Sequence, residues 1–505
     1  TAYQRSGRTE KTDMEDIAMK RYIACAVMCA LLLSTASCGD SQGPTDVTTP
    51  SGTETTENTA ETALKPDIPS DLTLGGETIT ILYRDGMKDE FWTEEQTGDV
   101  VNDAVFNRNA AVESALDCKL EYIPNVSTDW NGGYQAVISN SVLAGDEEYD
   151  IISGPSFHIP TLIVDGYLSN LNGMKYLDFD KPWWAQSLLE TTAFGDKIFL
   201  VSGDISMGMI RYLHCTYYNM KLGEDYGVGD IYKIVLDGKW TLDKLEELTK
   251  DRYEDLNSDG NVDVENDRFG YLINNTTLWR AYIDALGVNY LYINKKGVPE
   301  FNFSDERSFD VADEFTRLLG TGSSPDMYKT NTWGNEVIGK AFKNDQAMFC
   351  MGRFVDCETD YRDMKSDYAI IPVPKWDEEM DYAVTINGSE STFGVPVNSS
   401  KTDYIGAVME MLAYESYEKV TPAYYESALK IKYTRGDDAD SAAKVIDLIR
   451  NGAVFNPIVQ LSKLLGGSDY MIQDSFTNDK GLASVFAEKG PALEEKLREV
   501  LEKIS

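Results

Sequence analysis

Residues 255–267 read Asp-Leu-Asn-Ser-Asp-Gly-Asn-Val-Asp-Val-Glu-Asn-Asp, the densest set of oxygen ligands in the chain. Calcium takes about six to eight oxygens, and an EF-hand-type loop supplies them at alternating positions, with glycine at the sharp turn and an acid to close the shell. Asp255, Asn257, Asp259, Asn261 through its carbonyl, and Asp263 fall on the alternating positions, and Gly260 falls at the turn. The usual closing position holds Asn266, a departure from the motif, so Glu265 or Asp267 closes the shell if the loop carries an extra residue. The plainer alternative is a surface turn rich in Asp and Asn, but acids this close repel one another unless a cation sits among them. No flanking helix pair is evident, so the expectation is a structural calcium loop rather than a sensor.

A second chemistry is covalent. Met19-Lys20-Arg21 precedes an apolar run from Tyr22 to Leu33, and Ser34-Thr35-Ala36-Ser37 then leads to Cys38-Gly39. A basic start, a short apolar core and small residues before a cut describe a secretory signal. The run is shorter than the roughly 18 apolar residues of a membrane span. Cys38 resembles the lipidated cysteine of bacterial lipoboxes, although Thr35 stands where such boxes prefer leucine. Residues 1–18 are expected to be an extension upstream of the true start at Met19, residues 19–37 the signal, and residues 38–70 a lipid-anchored tether. The tether is rich in Thr, Ser, Glu, Gly and Pro and too poor in large apolar side chains to offset its ordering entropy.

The rest of the chain is long enough for two or three cores. A formal net charge of −38 over 505 residues excludes nucleic acid as a partner, because phosphate recognition needs clustered Lys and Arg. Beyond the leader and Cys38 the cysteines are Cys118, Cys215, Cys350 and Cys357, with no zinc spacing among them. Cys350 and Cys357 are near enough in sequence to bridge in an oxidising compartment; burial as small hydrophobes is the expectation.

The elements that must position these groups alternate. Residues 78–83, 119–123 and 149–152 read as strands, and 101–116 and 134–143 as helices. A second alternation follows, with strands at 198–201, 212–218, 270–273 and 368–375 and helices at 242–250, 278–286 and 309–319. The C-terminal third turns helical, at about 401–419, 421–430, 440–450 and 490–504. Strands interleaved with helices indicate α/β architecture with mostly parallel sheets.

Across residues 75–450 the chain resembles the sugar-class extracellular solute-binding proteins of ABC importers, the group that includes maltodextrin-binding protein. The residues that carry the resemblance are Leu168-Ser169-Asn170-Leu171, Lys181-Pro182-Trp183-Trp184, Gly203-Asp204-Ile205 and Gly238-Lys239-Trp240-Thr241-Leu242-Asp243. Ala347-Met348 with Gly352 after them, residues 368–375, and Tyr424-Tyr425-Glu426 complete the set. The resemblance implies a two-lobed periplasmic-binding-protein-like fold of type II, each lobe a mostly parallel sheet flanked by helices, with the ligand cleft between them. It places residues 71–203 and 384–430 in one lobe and 204–383 and 431–505 in the other, with crossings near 201–209 and 383–387.

Sugars present apolar faces and rings of hydroxyls, so their sites combine aromatic platforms with multivalent polar side chains. In open α/β sheets ligands sit where strands end. After the first strand this selects Arg84, Asp85 and Trp92; after the third, Ser156, Phe157 and His158; near the crossing, Asp204 and Arg211. From the second lobe come Trp279, Trp333, Arg353 and Phe354, of which Trp279 and Arg353-Phe354 fall where relatives carry ligand-facing aromatics. Trp183, Trp184 and Trp240 are assigned to packing. His158 has no accompanying nucleophile and orienting group, so hydrogen bonding rather than base catalysis is expected of it.

The leading expectation is a monomeric, non-enzymatic receptor, lipid-anchored on the outer face of the cell membrane, that captures an oligosaccharide and hands it to the permease subunits of an importer. A secreted carbohydrate-active enzyme, with two carboxylates across a cleft, is the alternative from another class. A receptor for peptide or another polar solute on the same scaffold is the third.

Overall fold

In the strand β1 (Glu77–Arg84), Ile79, Ile81 and Leu82 are buried, the side chains of a strand covered on both faces. The helix Val100–Leu116 follows, opened by the Asp99 carboxylate, which accepts hydrogen bonds from the amides of Val101 and Asn102 at 3.0 and 3.3 Å. Val105, Val112 and Leu116 turn its buried face inward, each worth about 1.5–3 kcal/mol of transfer free energy. The chain returns in β2 (Cys118–Asn125), parallel to β1, and after the helix Gly133–Ala144 in β3 (Ile151–Pro155), parallel to β1 on its other side. A late strand, Ser391–Gly394, closes the sheet antiparallel to β3.

The structure, a computed structural model, describes residues 64–129, 132–274, 277–319, 327–329 (backbone only), 334–426 and 438–504. All belong to the unit Leu64–Ser505. Cys38 and most of the tether lie outside the described residues, as do Trp333 and part of the helix expected at 421–430. Among the described residues no helix is long and apolar enough to cross a membrane.

The second sheet is mixed. Its centre is the strand Ala347–Arg353, antiparallel to β4 (His214–Asn219) and parallel to β6 (Asp267–Ile273). Tyr368–Ile371 lies antiparallel to β4 on one side, and the two-residue β5 (Glu254–Asp255) lies antiparallel to β6 on the other. Every residue of β4 is buried, and Trp240 packs against Phe349 with its Nε1 donating to the Pro372 carbonyl at 2.8 Å. Trp183 and Trp184 are equally interior, both donating to the Glu410 carboxylate, at 3.2 and 3.0 Å. Tyr217, Tyr218, Tyr424 and Tyr425 are core residues as well. Cys118, Cys215, Cys350 and Cys357 are all buried free thiols.

Some expected elements take a different form. Residues 198–201 make no strand of their own; Val201 forms a single bridge with Phe393. Residues 278–286 divide into a tight turn, Leu278–Ala281, and one helical turn, Tyr282–Ala285. The last helix begins at Leu482 and runs through Pro491 to Ile504.

Two stretches link the sheets. Bridges Val201↔Phe393 and Leu213↔Ile386 lay the outgoing chain beside the returning one. Glu90 sits against both, accepting from Ser206 at 2.7 Å and Ser391 at 3.0 Å.

Candidate functional site

A cavity of about 430 Å³ opens where β1 and β3 end, beside the returning crossing. The first sheet contributes Arg84, Phe157 and His158; the crossing contributes Asn387, Gly388 and Ser389. From the far side come Thr277, Arg280, Lys463 and Tyr470, carried after β6 and on the C-terminal helices. Such a volume falls within the range of small-ligand sites, roughly 300–1,000 Å³.

The near wall is fixed by backbone. Gly388 has φ +89°, a conformation most side chains avoid, and its carbonyl accepts from the Phe157 amide at 3.1 Å. A Cβ there would meet the Phe157 Cβ at 3.2 Å. Glu390 is buried behind this turn: it accepts from the Gly388 amide at 2.8 Å and from the Ser156 hydroxyl, and burial pushes its carboxyl above the ordinary range. Asn387 is oriented from the second sheet. The Thr385 carbonyl can only accept, so His214 donates to it through Nδ1 at 2.7 Å and is left with a lone pair on Nε2, which takes a hydrogen from Asn387 Nδ2 at 2.9 Å.

The far wall is built around Arg280. Its guanidinium lies over the Phe157 ring at 5.0 Å and the Tyr470 ring at 5.8 Å, and forms an ion pair with Asp469 at 2.5 Å. The Asp469 carboxylate also accepts from Ser462. Arg84 Nη2 donates to the Tyr212 hydroxyl at 3.0 Å, and the guanidinium carbons of Arg84 and Arg353 are 5.7 and 5.6 Å from the centre of the Tyr212 ring. The His158 pKa is pushed down to about 4, by burial first and then by the charges of Lys463, Arg84 and Arg280. Its ring is neutral at physiological pH.

Of the residues singled out by sequence, Arg84, Phe157 and His158 meet at this cavity. Ser156 stands one layer behind, on Glu390. Asp85 is exposed on the turn beyond β1, and Trp92 stacks on Tyr122 with Lys88 4.0 Å from its ring. Arg211 and Asp204 belong to the crossing. Arg211 pairs with Asp89 at 2.9 Å and Glu358 at 3.3 Å, and Asp204 accepts from Thr421 at 2.5 Å. Arg353 pairs with Asp356 at 3.0 Å, Phe354 is wholly buried, and Trp279 is buried with its Nε1 donating to Gln473 at 3.1 Å. Trp333 lies outside the described residues. Arg280, Asn387, Lys463 and Tyr470 carried no sequence signal beyond Arg280 following Trp279 and Asn387 ending the expected return crossing.

At the acidic loop, β5 and β6 place Asp255 directly opposite Asp267. Asp255 accepts from the amides of Ser258 and Gly260 at 2.6 and 2.9 Å, Asn257 from Asp259 at 3.0 Å, Asp259 from Asn261 at 2.7 Å, and Asp263 from Glu265 at 2.7 Å. Asp267 is fully buried; its Oδ2 accepts from the Asp263 amide and the Tyr253 hydroxyl, whereas its Oδ1 accepts no hydrogen bond among the described residues. Glu265 is exposed. Among the described residues no three or more His, Cys, Asp or Glu side chains are gathered as the ligands of an ion would be.

No family model matches this chain, and no curated protein matches it in sequence. Solved structures match it in fold. The GacH receptor of Streptomyces glaucescens, solved unliganded and with acarbose, aligns with a TM-score of 0.53 at 14% identity over 84% of this chain and 99% of its own. The maltose/maltodextrin-binding domain MalE of Bdellovibrio bacteriovorus, bound to maltotriose, aligns with a TM-score of 0.53 at 14% identity over 83% and 100%. MalX of Streptococcus pneumoniae, bound to maltopentaose, aligns with a TM-score of 0.53 at 16% identity over 83% and 99%. The chain has the two-lobed, periplasmic-binding-protein-like fold of solute-binding proteins, and the resemblance to the maltodextrin-binding group holds at the level of fold.

Proposed function

We propose that this chain is the extracellular receptor of an ABC importer, that it closes its two lobes on an oligosaccharide at the cavity lined by Arg84, Phe157, His158, Arg280, Asn387 and Tyr470, and that it hands the sugar to the permease subunits. One observation carries this reading: in a fold whose solved neighbours hold acarbose, maltotriose and maltopentaose, the described chain has a cavity of ligand size where strands end and the chain crosses between sheets. The ligand acts by stabilising the shut state over the open one, with the paired crossings as hinge. The solved neighbours are a receptor and maltodextrin-binding proteins, and this supports capture over cleavage.

The reading includes a monomer held to the outer face of the membrane by lipid on Cys38, a residue outside those described. Mass spectrometry of the mature N-terminus that finds no diacylglyceryl cysteine overturns the anchor. It also includes a structural calcium ion at the 255–267 loop, supported by the buried, unsatisfied Oδ1 of Asp267 opposite Asp255. Fluorescence titration of the protein lacking residues 1–38 against a panel of oligosaccharides tests the receptor. Saturable binding without product is expected; turnover of the sugar overturns it, and a response to peptides alone transfers the scaffold to another solute.

A further inference from the structure

The charge of this cavity is opposite to that of the protein around it. The chain carries a formal net charge of −38, yet the described lining has Arg84, Arg280 and Lys463 and no Asp or Glu. We infer that the sugar this receptor takes is anionic, its uronate carboxylates or sulfate esters held between Arg84 on one wall and Arg280 and Lys463 on the other. The inference rests on the carbohydrate-receptor reading and narrows it.

Donor chemistry leads to the same class. A neutral sugar offers hydroxyls that each donate and accept, so a site built for it mixes donors with strong acceptors. Arg and Lys have donors only. Asn387, Ser389, Thr277 and Tyr470 can do either, and the one lining imidazole is neutral. Arg84 gives one of its N–H donors to Tyr212 and Arg280 shares its charge with Asp469, so the donors the two guanidinium groups keep face the cavity beside the Lys463 ammonium. These suit a ligand with surplus acceptors, and planar carboxylates and sulfates meet guanidinium geometry best.

The nearby acids stand in the second layer and are already engaged. Asp469 pairs with Arg280 and Ser462, and Glu390 serves Ser156 and the Gly388 amide. Arg280 is set between the Phe157 and Tyr470 rings, so those aromatics hold a cation in place. The depressed His158 pKa follows in part from the same three charges converging on one spot. Because Arg84 ends β1 while Arg280 and Lys463 belong to the segments packed with the second sheet and the C-terminal helices, an anion between them joins the two walls.

The test starts with an array of uronate-bearing, sulfated and neutral oligosaccharides. Calorimetry then compares trigalacturonate with its trimethyl ester, and a chondroitin sulfate disaccharide with its desulfated form. The acidic member of at least one pair is expected to bind more tightly by roughly 10- to 100-fold, the span of one or two charge-assisted hydrogen bonds. The pair that responds identifies carboxylate or sulfate as the source. Lys463→Gln and Arg84→Gln are each expected to erase most of that difference in protein whose melting shows it folded; the ester comparison needs no variant. Equal affinity within both pairs, or neutral glycans as the best binders, overturns the anionic ligand and leaves the receptor standing. Silence of the entire array overturns both.

Discussion

Arg280 and Asp469 meet at 2.5 Å with the carboxylate side chain wholly buried and the guanidinium 8% exposed. The pair sets the far wall of the cavity from behind, while two aromatic rings grip the same guanidinium in front. Removing one member of a buried pair strands the other charge, so Asp469→Ala is expected to cost about 3–5 kcal/mol in urea unfolding. The double variant Arg280→Met/Asp469→Leu is expected to recover most of that stability and none of the ligand affinity. A stable, binding-competent double variant means the pair serves packing alone.

Asp204 makes stability depend on pH. Burial pushes its carboxyl up to about 6 from 3.8, against the hydrogen bond from Thr421 and the charge of Arg450. The folded protein therefore holds this proton more tightly than the unfolded chain. The contribution is complete below about 3.8 and is lost as pH rises through about 6. At about 1.4 kcal/mol per pKa unit the swing is about 3 kcal/mol. Asp204→Asn is expected to flatten part of this slope and to raise stability at pH 8. Asp284, raised to about 6 by burial despite its bonds to Asn456 and Thr385, remains as the internal reference. An unchanged slope in denaturation midpoints from pH 4 to 8 refutes the assignment.

The chain has only two histidines, and both are pushed down by burial, His158 to about 4 and His214 to about 3. Unfolded histidines take up protons below about 6.5 and these do not, so the protein loses stability as pH falls through that window. Proton NMR of the two imidazoles is expected to show no titration between pH 5 and 8, with assignment by His158→Asn. A midpoint near 6.5 for either ring refutes the burial argument. His214→Phe, which does not line the cavity, is expected to weaken ligand binding roughly tenfold by releasing Asn387.

For the acidic loop, calorimetry with calcium is expected to give a saturable heat that an Asp255→Ala/Asp259→Ala variant lacks. Chelation is expected to lower the melting temperature in proportion to the lost binding, about 2.7 kcal/mol at a hundredfold excess over Kd. Equal heats for the two proteins rule out the site.

The alternation of sheets and helices was legible because a strand buried on both faces needs a run of apolar side chains, as Ile79, Ile81 and Leu82 provide. Arg84, Phe157 and His158 could be found because each follows such a run. Arg280, Lys463 and Tyr470 could not: Arg280 and Lys463 sit in single helical turns and Tyr470 opens a two-turn helix, places where a cation or tyrosine is ordinary, and only tertiary packing carries them to β1. The long aromatics misled for a related reason. Trp279 and Phe354 have the side chains of a sugar platform, but the same apolar area is worth more inside the core, where both reside. The last helix, expected at 490–504, begins earlier, at Leu482, and takes Pro491 into its interior.

The returning crossing has a mechanical consequence. Asn387 is gripped by His214 of the second sheet and Gly388 by Phe157 of the first, at adjacent residues. One short piece of chain both joins the sheets and lines the cavity, so a rotation of one sheet against the other would alter the lining. In the proposed receptor such a joint would work as a latch: a motion that opened the lobes would unmake the hold on the sugar, and release would need only a pull on the lobes.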